Sequence, residues 1–410
     1  MNNRKQIPQG YKDSPLGIIP KEWEVKRLGD IAIQIGDGIH GTPEYIDDSD
    51  YYFINGNNLC NGKIIITEST RCVSYSEFVK YKKNLTQDTI LLSINGTIGN
   101  IALYNDENVM LGKSAAFITI SNRKYFYYLL QSNRILVGFE KELTGSTIRN
   151  LSLDSIRNTK ILLPPQTEIE GITKILYLWD TAIEKQSELI EKLKLRKRAL
   201  MQQLLTGKKR LPGFSGEWKK RTYSSILTEV KRSLKWDENE LYKLISVRRR
   251  SEGLFFRESL YGRDIATKNL RPAKTGDFLI SKMQIVHGAS GLVTDEFENA
   301  KISGSYISLV SKDSNVLDIR YYHLWSQMPI FYHQTFVSSF GVHIEKMTFD
   351  LDTFMTFGMP LPPIDEQHAI AALIESINKE ITLANKKLIN LQSQKRGLMQ
   401  QLLTGKKRIK

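Results

Sequence analysis

Two cysteines in 410 residues, Cys60 and Cys72, are too few for a disulfide framework and lack zinc-ligand spacing. They fit a reducing cytoplasm, which is the expected location. No apolar run approaches the roughly 18 residues that a membrane-spanning helix needs, so no membrane partner is expected. The start, MNNRKQIPQG, is polar and without the apolar centre of a secretion signal. Histidine is scarce too, and its six copies show no paired ligand spacing, so no metal site is expected. Catalytic motifs are missing as well. No G-x-S-x-G elbow occurs. GDGIHG (Gly36 to Gly41) matches G-x-G-x-x-G, but Pro43 and an acidic turn follow where a dinucleotide-binding helix must begin. TGKK lacks the earlier Gly and the final Ser or Thr of a phosphate loop. The Pro-Pro pairs lack the preceding Asn or Asp and the following aromatic of an adenine methyltransferase site. No catalytic residue is expected in this chain.

What is present suits globular packing: 41% hydrophobic residues, 18 Tyr and 16 Phe. The length exceeds one ordinary core, so two or three domains are expected. The formal charge is +14, distributed unevenly. Residues 1–163 carry +2 and 211–361 carry +3, whereas the shorter segments 164–210 and 362–410 carry +4 and +5. A basic balance favours a polyanionic partner.

The strongest signal is repetition. LMQQLLTGKKR runs from Leu200 to Arg210 and again from Leu398 to Arg408, an offset of 198. At that offset Pro164-Pro165 matches Pro362-Pro363 and Glu168 matches Glu366, and the register holds ungapped for 47 residues. Upstream, Glu22-Trp23 precedes Glu217-Trp218 by 195. The order is therefore block, repeat, block, repeat. Each repeat reads as a long helix. The Pro-Pro pair ends the preceding structure, Thr167 with Glu170 forms a capping box, and Asp365 is the matching cap. Apolar residues recur at 3,4 spacing through Ile172, Leu176, Trp179, Ile183, Ile190 and Leu193, with the seam broken at Gln186. The second copy gives Ile370, Ile374, Ile377, Ile381, Ala384, Leu388 and Leu391. This is a heptad seam sustained over about five heptads. Gly207 and Gly405 supply the stops. Two helices of about 40 residues, each roughly 60 Å long, are expected. An antiparallel pair centred on Gln186 and Ala384 would set a long polar residue against a small one. Gln202, Gln203, Lys208 and Lys209, with their counterparts Gln400, Gln401, Lys406 and Lys407, lie mostly off the seam. A surface repeated twice implies a partner bound twice.

The blocks between the repeats read as mixed α/β domains. β-type runs such as TILLSI, AAFITI and FLISK alternate with turn signals, and YFYYLLQSNRIL has a helical counterpart in RYYHLWSQMPIF. The expected fold class is α+β: two α/β domains alternating with two long helices that pair as an antiparallel coiled coil. The boundaries are 1–163, with an N-terminal arm, then 164–210, 211–361 and 362–410. A shared plan with divergent residues suggests one scaffold presenting two surfaces.

A block ending in LLPPQTEIEGI or PLPPIDEQHAI, followed by a long helix closing in LLTGKKR, resembles the DNA specificity subunit of type I restriction–modification enzymes. GDFLISK, TILLSINGTIGNIAL and GIHGTPEY resemble that family's target-recognition domains. The first copy departs at Thr167-Glu168-Ile169, where the pattern followed by Asp365-Glu366-Gln367 has an acidic residue and Gln. The resemblance implies a non-catalytic reader of double-stranded DNA. Each domain would read one half of a bipartite, asymmetric site, and the paired helices would set the distance between halves. They would also dock two methyltransferase subunits and, through them, two restriction (motor-nuclease) subunits. S-adenosylmethionine, ATP and Mg would belong to those partners, with no cofactor in this chain. The alternative is a free-standing DNA-binding or coiled-coil adaptor without enzyme partners.

Base edges are read chiefly by Arg, Lys, Asn and Gln in the major groove, and phosphates by cations and backbone amides. The first block offers Thr42, Asn57, Asn58, Asn95, Lys113, Thr147 and Arg149. The second offers Arg248, Arg249, Arg250, Lys282, Gln284 and His343. A solvated turn residue is the competing reading for each. The triple Arg stands out because adjacent like charges repel unless a polyanion relieves them.

Overall fold

The computed structural model describes residues 7–144 and 149–409. The chain divides into two compact units. One comprises Met1–Ser187 with Lys386–Lys410, the other Glu188–Asn385, so the division cuts both long helices near their middles. The helices span Gln166–Leu204 and Ile364–Leu402, 39 residues each. Among the described residues no helix is long and apolar enough to cross a membrane, and no cluster of His, Cys, Asp and Glu could hold a metal ion.

The first unit contains a four-stranded antiparallel sheet ordered Ile101–Leu103, Thr89–Ser93, Ala115–Thr119, Gln34–Asp37. Its two central strands are buried along their whole length. That explains why TILLS and AAFIT read as near-continuous apolar runs. A smaller sheet, ordered Val109–Leu111, Tyr52–Ile54, Cys72–Val73, Tyr45–Ile46, contains one parallel pair. Helices Arg123–Leu130 and Asn133–Lys141 bury Tyr125, Phe126, Leu130, Ile135 and Phe139 in the main core.

The second unit repeats this plan. Ser290–Leu292, Phe278–Ser281, Tyr306–Ser311 and Leu227–Glu229 form the antiparallel sheet in the same spatial order. A second sheet, Leu254–Tyr261, Leu241–Val247, Lys301–Ser303, Leu270–Pro272, again holds one parallel pair. Helices Ile319–Trp325 and Pro329–Val337 correspond to the pair in the first unit. In each unit an early strand pairs with the strand that leads into the long helix: Glu24–Arg27 with Lys160–Leu163, and Lys219–Thr222 with Gly358–Leu361. Each closing strand runs directly into the Pro-Pro pair and a long helix.

The helices are antiparallel. In the first unit Ile169, Ile172 and Leu176, near the start of the first helix, share a core with Met399, Leu402 and Leu403, at the end of the second. In the second unit Met201, Leu204 and Leu205 share a core with Ile370, Ile374 and Ile377. The remaining seam positions are buried (Gln186, Ile190, Leu193, Ala384) or half-buried (Trp179, Ile183, Ile381, Leu388, Leu391). The first helix starts at Gln166, so Thr167 lies inside the first turn instead of capping it. The carbonyls of Pro165 and Pro363 accept the first helical hydrogen bonds, from Ile169 N at 3.0 Å and Gln367 N at 3.1 Å. Asp365 likewise falls within its helix. Both helices stop at a left-handed glycine, Gly207 (φ +68°) and Gly405 (φ +69°). A Cβ on Gly405 would lie 2.5 Å from Pro20 Cδ, so the close approach needs glycine for space as well as for conformation.

Candidate nucleic-acid interface

In the first unit five loops meet beside Lys113 and Ser114. The backbone after strand Thr89–Ser93 is held from two sides, Ile94 N donating to Ser114 O (3.0 Å) and Leu151 N to Ile94 O (2.9 Å). Gly56 N donates to Ser114 Oγ (2.9 Å), which itself donates to Asn55 Oδ1 (2.8 Å). Ile39 N donates to Leu111 O (2.8 Å) and ties in the loop that carries Thr42. Asn95 faces Asn150 across an isolated antiparallel bridge. This node gathers the loops bearing Thr42, Asn57, Asn58, Asn95, Lys113 and Arg149; Thr147 lies outside the described residues.

Within the node the candidates differ in availability. Thr42, Asn57, Lys113 and Arg149 are exposed. Asn58 is used by the fold: its Oδ1 accepts from Asn55 N at 2.9 Å and its Nδ2 donates to Ile65 O at 3.0 Å. It shapes the turn that presents Asn57. Asn95 is half-buried, and its Oδ1 has no hydrogen-bond partner among the described residues.

Two backbone bonds of this node recur in the second unit, with other side chains. Lys282 N donates to Ser305 O (3.0 Å) and Phe349 N to Lys282 O (2.9 Å). Lys282 thus stands where the first unit has Ile94. The three arginines form an exposed turn in which Arg250 (φ +59°) and Ser251 (φ +55°) are both left-handed. Two backbone bonds hold that conformation, Arg250 N to His287 O (2.7 Å) and Ser251 N to Gly288 O (2.9 Å). A third link joins Ser251 Oγ to Tyr332 OH at 2.6 Å. Arg248 lies over the Phe255 ring at 4.6 Å. Arg249 donates to Glu345 Oε2 (2.8 Å), and His287 Nε2 lies 3.1 Å from Glu345 Oε1. Gln284 points its Oε1 inward, where among the described residues nothing bonds it. His343 is exposed at the start of the short turn Ile344–Lys346. Sequence reasoning missed His287 and Glu345, since nothing in the sequence links Glu345 to a turn 96 positions earlier.

The repeated helix ends face two ways. Part of the repeat faces inward: Arg210 forks onto Glu366 at 2.5 and 2.6 Å, and Trp218 Nε1 donates to the same carboxylate at 3.1 Å. In the first unit Arg408 forks onto Glu168 at 2.9 and 2.5 Å, and Trp23 Nε1 donates to Glu168 at 3.3 Å. These bonds raise both arginine pKa values. The rest of the repeat faces outward: Gln202, Gln203, Lys208, Lys209, Gln400, Gln401, Lys406 and Lys407 are all exposed.

Residues 20–195 match the family model described as the type I restriction modification DNA specificity domain. A putative type I restriction enzyme MjaX specificity subunit of Methanocaldococcus jannaschii is 24% identical, the alignment covering 98% of this chain and 97% of that protein. The MjaVIII specificity subunit of the same organism is 23% identical over 96% and 94%. In fold the chain is similar to the type I restriction–modification S subunit from M. genitalium, with a TM-score of 0.56, 14% identity and 98% of each chain covered.

Proposed function

Since this chain belongs to the DNA specificity subunits of type I restriction–modification enzymes, we propose that its two units read the two halves of a bipartite, asymmetric duplex site. The observation that carries this reading is the shared loop node with unlike residues. One scaffold holds Asn57, Asn95, Lys113 and Arg149 in the first unit. In the second it holds the arginine turn, Lys282 and His343. A shared pair of backbone bonds that presents different donors and acceptors suits two different base sequences. On this reading the arginine turn and Lys113 bind phosphate and set register, while Asn57 and Asn95 read base edges.

The outward faces of the two helix ends dock two methyltransferase subunits on this reading, and these carry two restriction subunits in turn. Support comes from the charged and amide side chains that are exposed in both copies although the fold makes no evident use of them. Adenine methylation and ATP-driven cleavage then belong to the partners, which hold S-adenosylmethionine, ATP and Mg. The test is methylation mapping of genomic DNA from cells with and without the chain. A new two-part motif that depends on the chain supports the reading; an unchanged methylome contradicts it.

A further inference from the structure

Beside the arginine turn stands a feature that ion pairing does not explain. Strands Ser339–Phe340 and Thr348–Phe349 form a short hairpin whose tip reads GVHIEKM. Val342 at that tip is 96% exposed, flanked by Phe340 at 59% and Ile344 at 50%. Met283, on the adjoining loop, is exposed too, and Thr348 Oγ1 donates to its sulfur at 3.8 Å. Water gains nothing from three large apolar side chains at one tip, so the sequence keeps them there at a cost in solubility. Their setting is cationic: Arg248, Arg249, Arg250, Lys282, His343 and Lys346 lie on the same three loops.

We propose that this tip is an apolar wedge: when the second unit binds duplex DNA, Val342 inserts at a base step and partly unstacks it. The proposal rests on the DNA-reading function and adds the way one half-site is deformed. Position is set by the Arg249–Glu345 pair, which fixes the tip to the arginine turn at 2.8 Å, so phosphate contact by the turn delivers the tip to the groove. The shape also favours a groove over a flat protein face, because a side chain with almost all its surface free projects past its neighbours. Apolar wedges of this kind kink the duplex and favour easily unstacked pyrimidine–purine steps. Val342 would thereby influence sequence choice without a hydrogen bond to any base.

The test uses the full chain with its co-purifying partners and a duplex of the mapped sequence, 2-aminopurine replacing successive bases. Binding is expected to raise emission at one step of the half-site read by the second unit. Val342→Ser is expected to abolish that rise and weaken binding by about tenfold without changing the slope of affinity against salt, since no charge is lost. Val342→Leu retains both properties. Because the side chain is exposed, neither variant should shift the melting temperature. Tight wild-type binding with no emission change at any step overturns the wedge alone. Loss of a modification subunit from Val342→Ser, with DNA binding intact, also overturns it, making the tip a protein-docking point. Failure of the wild-type complex to bind the mapped duplex overturns the DNA-reading function itself.

Discussion

Arg408 closes on Glu168 across 240 positions of sequence, its Nε 2.9 Å from Oε2 and its Nη2 2.5 Å from Oε1. The same residue donates to Glu22 Oε2 at 2.8 Å. Its repeat equivalent, Arg210, closes on Glu366, the repeat equivalent of Glu168. Each TGKKR segment therefore finishes on the start of the other helix. A bidentate Arg–carboxylate fork fixes direction as well as distance. An indole N–H fills a further acceptor position on each carboxylate.

The buried carboxylate makes this clasp testable. Glu366 is fully buried, so Glu366→Ala leaves Trp218 Nε1 and part of the Arg210 guanidinium without their acceptor, and is expected to cost about 2 kcal/mol. Glu366→Gln restores the shape but not the charge and should recover only part of the loss. Urea unfolding of the three proteins checks this; equal stability of wild type and Glu366→Ala would contradict it.

Acid should weaken the second unit through His323. Its Nδ1 is sealed and unpartnered among the described residues, and burial, helped by nearby Lys197, lowers its pKa from 6.5 to about 4. The unfolded chain takes up a proton as pH falls through 6.5, while the native ring resists until about 4. Stability is thus fully present above 6.5 and declines on acidification towards 4, by up to about 3 kcal/mol in total. His323→Phe should flatten the stability profile across that window. An unchanged slope would remove His323 as the cause.

On the proposed reading, Arg250 gives up some stability for a DNA contact. Its left-handed backbone suits glycine, so Arg250→Gly should leave stability unchanged or raise it by up to about 1 kcal/mol. Losing the cation should weaken DNA binding and lower the salt slope by about 1. Glu345→Ala removes the pair that ties the hairpin tip to the arginine turn, so it is expected to weaken DNA binding and to lower the 2-aminopurine signal while Arg249 stays charged. Fluorescence anisotropy across a salt series measures all three.

On the proposed docking, the two outward helix ends should act independently. Charge reversal at Lys208 and Lys209 is expected to leave one methyltransferase subunit per chain, and reversal at Lys406 and Lys407 as well to leave none. Native mass spectrometry counts them. Loss of both subunits on altering one face would contradict separate docking.

The helices were legible because a heptad seam repeats at a fixed offset, and the duplicated sheets because their buried central strands are short apolar runs between turn signals. The residues of the clasp were visible as repeated letters, but the seam alone does not say which Arg meets which Glu. The loop node was not legible. Asn57 and Asn58 look alike in sequence, yet Asn58 is spent on Asn55 N and Ile65 O. Gln284 carries base-reading chemistry but turns its carbonyl inward. Thr167 had the spacing of a cap, and the carbonyl of Pro165 displaced it by starting the helix earlier. Local pattern fixes periodicity, whereas exposure at a loop depends on chain that is distant in sequence.

The most direct test of separate reading replaces residues 21–163 with the corresponding block of another family member and maps the methylated sites. One half of the recognised sequence should change while the other half and the gap stay as they were. A change in both halves, or in neither, would contradict the account.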